Sequence, residues 1–143
     1  EGTPCERAGA AGDPTVEIGL GEHHFEAPID DFDRVTMVHG PQGGTHLWLA
    51  VRTSGVNPGE RHPLGADADV PVIEATLTAE DDGGVVGSGS WAFEALHGDA
   101  AQAELALGEF VIEAHAGTAV VLDLGIEDAC GRAATDEVSF VVK

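Results

Sequence analysis

The sequence predicts an all-β fold, an antiparallel β-sandwich of about seven to nine strands in one domain. Three observations predict it. Short runs of alternating apolar and polar residues recur along the chain, the period of half-buried strands. Gly, Pro and Asp clusters separate them every 8–15 residues or so, the spacing of sandwich turns. The 143 residues are 43% hydrophobic, with neither a fixed-period repeat nor a low-complexity tract, which fits a single packed domain.

The elements follow in order. Residues 1–14, rich in Gly, Ala and Pro, read as an irregular lead segment before a domain spanning 15–143. Thr15 to Leu20 alternates and reads as a strand, which a kinked 21–26 extends. Ala27 to Asp33 is a polar turn. Residues 34–39 and 45–53 form a hairpin around Gly40, Pro41, Gln42, Gly43 and Gly44, where glycine supplies positive φ and proline sets the corner. On the first arm Val35, Met37 and His39 share a face; on the second, Leu47, Leu49 and Val51 share one face and His46, Trp48, Ala50 and Arg52 the other. A long loop follows to Asp69, then a strand over 70–78 with Pro71 at its entry. Residues 80–84 turn the chain into a strand over 85–96, and His97-Gly98-Asp99 turns it again. Residues 100–107 are open between a short helix capped by Asp99 and a strand or loop. Strands over 110–114, 118–128 and 137–142 complete the pattern.

Charge narrows the partners. Twenty-six acidic residues stand against six basic ones, a net charge of −20. Such a surface repels nucleic acid and anionic membranes, which are bound through Lys and Arg, and attracts cations and basic partners. No apolar run approaches the roughly 20 residues that span a bilayer, so membrane insertion is not expected. No signal-peptide pattern is visible, which is compatible with a leader already removed. The two cysteines, Cys5 and Cys130, are too far apart for a CxxC redox or zinc motif. An even count favours one disulfide in an exported protein, secreted, periplasmic or at the cell surface. That bridge would tie the lead segment to the last hairpin, a constraint worth about 3–5 kcal/mol.

The stretch from Ala119 to Val142 resembles the last two strands of bacterial extracellular immunoglobulin-like domains. The resemblance rests on an alternating strand, then Asp-x-x-Gly as Asp128 and Gly131, a short polar loop and a hydrophobic final strand. It implies an immunoglobulin-like sandwich with adhesion, spacer or ligand-binding roles and no fixed catalytic site. Cys130 inside the turn and the long segment before the first hairpin depart from that pattern.

Three functional readings follow. The first is an exported, non-catalytic binding or interaction module of a bacterial surface or periplasmic protein, its partner a protein or a metal ion. The second is metal binding, copper before zinc, because thioether and imidazole suit soft ions. Its candidate ligands are His39, His46 and Met37 at the hairpin, with Trp48 beside them and His23 and His24 approaching from the preceding strand. Met37 and Trp48 are as well explained as core residues, and the histidines as turn caps. The third is a calcium-stabilised adhesion domain. Carboxylates at Asp30, Asp31 and Asp33, Asp67 and Asp69, Glu80 to Asp82, Asp128 and Asp136 could supply oxygens, though no segment follows the EF-hand spacing. Catalysis is not expected. No serine lies in a Gly-x-Ser-x-Gly elbow, Gly87-Ser88-Gly89-Ser90 lacks the Gly-Lys-Ser/Thr of a phosphate loop, and no carboxylate pair sits beside an aromatic-rich cleft.

Overall fold

The computed structural model describes residues 13–39, 45–57, 70–92, 97–98, 101–114, 116–128 and 130–143. Among them are eleven strands: β1 (Thr15–Leu20), β2 (Ala27–Pro28), β3 (Asp33–Val35), β4 (Val38–His39), β5 (Thr45–Ser54), β6 (Val72–Ala79), β7 (Val85–Trp91), β8 (His97–Gly98), β9 (Ala103–Val111), β10 (Ala119–Glu127) and β11 (Ala133–Val142). They form a β-sandwich. One sheet of six runs β2-β1-β5-β9-β8, with β4 also on β5; the other, of five, runs β3-β11-β10-β6-β7. Every pairing is antiparallel except β3 on β11, which is parallel. No helix among the described residues is long and apolar enough to cross a membrane.

Alternation builds the core. Leu47, Leu49 and Val51 of β5, Leu105 and Leu107 of β9, and Val120, Leu122, Leu124 and Ile126 of β10 are buried and pack together. Their odd or even neighbours face out, as a period of two requires. At β5 Leu47, Leu49 and Val51 share a face as expected, and it is the inward one; Trp48, for which a core place was one reading, is half-buried on the other face.

One open alternative is resolved and one expectation changes. Residues 103–111 are strand, not helix, because Ala103, Leu105 and Leu107 must all reach the core, which a helix with 3.6 residues per turn would not allow. The expected first hairpin arm is not one strand. Its start, β3, joins the five-stranded sheet beside β11, and after Thr36 and Met37 its end, β4, joins the six-stranded sheet beside β5. The chain thus crosses between layers over two residues, and Met37 is buried in the core at the crossing. The hairpin turn 40–44, the lead segment 1–12 and Asp67 and Asp69 lie outside the described residues.

The sandwich is closed along one side by a close approach of β7 and the end of β9. Glu113 N donates to Val86 O at 2.7 Å. Gly87 allows this contact: a Cβ there would lie 2.8 Å from Val111 O and 3.2 Å from the Phe110 ring. On the opposite side, Asp136 of β11 reaches the other layer, its Oδ2 accepting from Ile18 N at 3.2 Å.

Candidate functional site

Three places bear on function: the surroundings of His46, the outer face of the five-stranded sheet, and the turn that carries Phe32.

Register separates the hairpin histidines. His46 stands opposite Val38, whereas His39 stands opposite Thr45. Directly opposed residues share a face, so positions 39 and 46 belong to opposite faces of the sheet. His46 lies on the outer face, since its neighbour Leu47 is in the core. There it is 8% exposed and packs edge-to-face on Trp48, ring centroids 4.9 Å apart. Its Nε2 is buried without a hydrogen-bond partner, and Glu109 Oε1 is 4.0 Å away. That distance is too long for a hydrogen bond. Met37 is in the core, away from His46. His23 and His24 are exposed on the bend after β1, and His23 Nε2 lies 3.7 Å from Glu22 Oε2. Among the described residues no three His, Cys, Asp or Glu side chains are grouped so as to hold a metal ion.

Two of the described acidic turns are organised by carboxylates that accept from backbone amides. Asp128 is buried: Oδ2 accepts from Asn57 N at 2.8 Å, and Oδ1 from Cys130 N and Arg132 N, each at 2.9 Å. The Asp-x-x-Gly segment is therefore a turn organised by one carboxylate, with Gly131 at φ +81. Arg132 Nε adds a bond to Gly55 O at 2.8 Å, fastening the turn to the end of β5. In the β6–β7 turn, Asp82 Oδ1 accepts from Gly84 N at 2.8 Å. Cys130 is not a free thiol, and Asn57 Nδ2 lies 3.5 Å from its Sγ. Cys5 lies outside the described residues.

The outer face of the five-stranded sheet is acidic. Register sets Glu137, Asp123 and Thr76 in one row across β11, β10 and β6, and Thr135, Gly125 and Glu74 in the next. With no side chain on Gly125, a shallow depression opens between Thr135 and Glu74. The Glu137 carboxyl is held above its ordinary range, first by a hydrogen bond with Asp123, then by the charge of Asp123, with burial and Asp31 adding to it.

Asp31 leads to the turn between β2 and β3. Phe32, at φ +69, is the one described non-glycine residue in the left-handed region, and its side chain is 81% exposed. The turn is tied down on both sides. Phe32 N donates to Ser139 O at 2.6 Å, and Ser139 N donates to Asp31 Oδ1 at 3.0 Å. Asp30 N donates to Asp33 Oδ2 at 2.9 Å, and Asp33 N to Asp30 O at 3.1 Å. Sequence reasoning saw the aspartates and missed Phe32. The available signal was an aromatic residue inside a run of acids, where a turn would ordinarily take Gly or Asn.

No protein-family model matches the chain, and no curated protein sequence matches it.

Proposed function

We propose that this chain is a non-catalytic binding module, an immunoglobulin-like domain of an exported bacterial protein. The strand order supports the immunoglobulin-like reading. Lettered by that fold, β1-β5-β9-β8 follows A-B-E-D, and β11-β10-β6-β7 follows G-F-C-C′ with β3 as an added edge strand on G. The chain departs from antibody domains in its cysteines, which stand at 5 and 130 rather than on the two central strands. Export is supported by Cys130 not being a free thiol, since stable disulfides belong to oxidising compartments. With Cys5 as the other cysteine of the chain, a Cys5–Cys130 bridge is the pairing we propose.

The observation that carries the binding reading is Phe32, a large apolar side chain held in solvent by a hydrogen-bonded turn. The test is retention. The immobilised protein is presented with cell-envelope and culture-supernatant proteins of the organism that encodes it. Saturable retention of a defined protein is expected; no saturable binder in either fraction would overturn the reading.

A second reading has one observation in its favour. Nε2 of His46 is buried, unpartnered and near the Glu109 carboxylate, and imidazole suits copper and zinc. Titration calorimetry with Cu(II), Zn²⁺ and Ca²⁺ tests it. Binding tighter than about 100 μM that is lost in His46→Ala supports it, whereas binding indifferent to that change removes its basis.

A further inference from the structure

We propose that Phe32 is the apolar anchor through which this chain docks a basic polypeptide surface, the ring entering between apolar side chains of the partner while Asp30, Asp31, Asp33 and Glu137 meet its Lys and Arg residues. The inference rests on the binding-module reading and names the place and the chemistry of the partner.

Four observations lead to it. First, Phe32 is 81% exposed, and among the described residues it is the only aromatic one of the exposed large hydrophobics; the others, Val38, Val72, Val85 and Val111, are strand valines. Second, its backbone is left-handed, a conformation that glycine takes freely and a bulky residue resists, so turn formation does not ask for phenylalanine. Third, the turn is pre-ordered by its bonds to Ser139 and between Asp30 and Asp33, so little freedom is left to lose on docking. Aromatic residues, phenylalanine included, are enriched in the buried cores of protein interfaces, with a polar rim around them.

Fourth, the surroundings are acidic. Three aspartates flank the ring in sequence, and Asp31 acts electrostatically on Glu137 of β11. Arg34, in β3, is the one basic residue between Ala27 and Val38. On a chain of net charge −20 this field attracts a cationic partner and speeds its approach. It disfavours a second copy of this chain, which carries the same charge, as well as nucleic acid and anionic membrane.

The experiment measures fluorescence anisotropy of two labelled synthetic peptides of equal length and charge, one alternating Lys and Leu, the other Lys and Ser, titrated with the full chain at low ionic strength. The Lys-Leu peptide is expected to bind at least about tenfold tighter, a preference worth about 1.4 kcal/mol. Phe32→Gly, which suits the left-handed backbone and keeps the fold, is expected to abolish the preference and leave Lys-Ser binding unchanged. Val111→Ala is expected to retain it. Equal binding of the two peptides by the wild-type chain, or a preference that survives Phe32→Gly, overturns the anchor. So does a concentration-dependent dimer lost in Phe32→Gly, which would place a second copy on the ring. An envelope protein retained equally by wild type and Phe32→Gly leaves the binding module standing and overturns the anchor alone.

Discussion

The carboxyl groups of Asp123 and Glu137 stand directly opposite each other on β10 and β11, and their hydrogen bond holds Glu137 above the usual glutamate range. Like charges in directly opposed positions destabilise a sheet. The folded state therefore binds the Glu137 proton more tightly than the unfolded chain does. The resulting stability is fully present below the ordinary value of 4.5 and is lost as pH rises through the raised folded value. Above that value the Glu137 carboxylate is opposed by the charge of Asp123. Asp123→Asn is expected to raise Tm at pH 7, with a gain that shrinks toward pH 4 and at high salt. Thermal unfolding at the two pH values checks it; a gain independent of pH would mean that the repulsion is not its source.

Phe32→Gly is expected to stabilise the protein by about 0.5–1 kcal/mol. The left-handed backbone costs a side-chain-bearing residue about 1–2 kcal/mol, and the flexibility of glycine in the unfolded chain returns part of that. Little burial is lost, because the ring is exposed. Urea unfolding measures the change. A destabilisation above about 1 kcal/mol would show that the ring packs in solution, since exposed positions rarely cost so much.

Asp128→Ala is expected to cost about 3 kcal/mol or more. It leaves the amides of Asn57, Cys130 and Arg132 without their acceptor in a buried place, and hydrogen bonds to charged groups contribute about 1.5–3 kcal/mol each. Asp128→Asn keeps one acceptor oxygen and is expected to lose less. Equal losses for the two variants would argue against the carboxylate as organiser of the turn.

The unreduced protein is expected to show no reactive thiol, and reduction is expected to lower its stability by about 3–5 kcal/mol, the constraint of a bridge closing nearly the whole chain. Denaturant midpoints with and without reductant, beside a thiol assay, measure both. Two reactive thiols in unreduced protein would remove the bridge and the case for export with it.

The alternating runs were enough to read the all-β class, the β1 limits and the face shared by Leu47, Leu49 and Val51, because strand period is a local property of sequence. The ambiguity at 100–107 had a local cause too: alanine favours helix, and only the need to bury Ala103, Leu105 and Leu107 against the opposite sheet overrides it. Between residues 33 and 39 the apolar pattern runs on while the chain changes sheets, so local periodicity gives no sign of the crossing.

By itself the sequence determined the all-β sandwich class, the residues that share a face on β5, the aspartate-and-glycine turns at 80–84 and 128–131, and a net charge of −20. The tertiary structure alone decided which positions meet. It set His39 and His46 out of phase, turned Asp128 into an acceptor for amides from two segments, opposed Asp123 to Glu137, and bound the Phe32 turn to Ser139. The physical reason is pairing. Alternation says which way a side chain points, but register between strands far apart in sequence decides its neighbour, and a one-residue shift reverses the face.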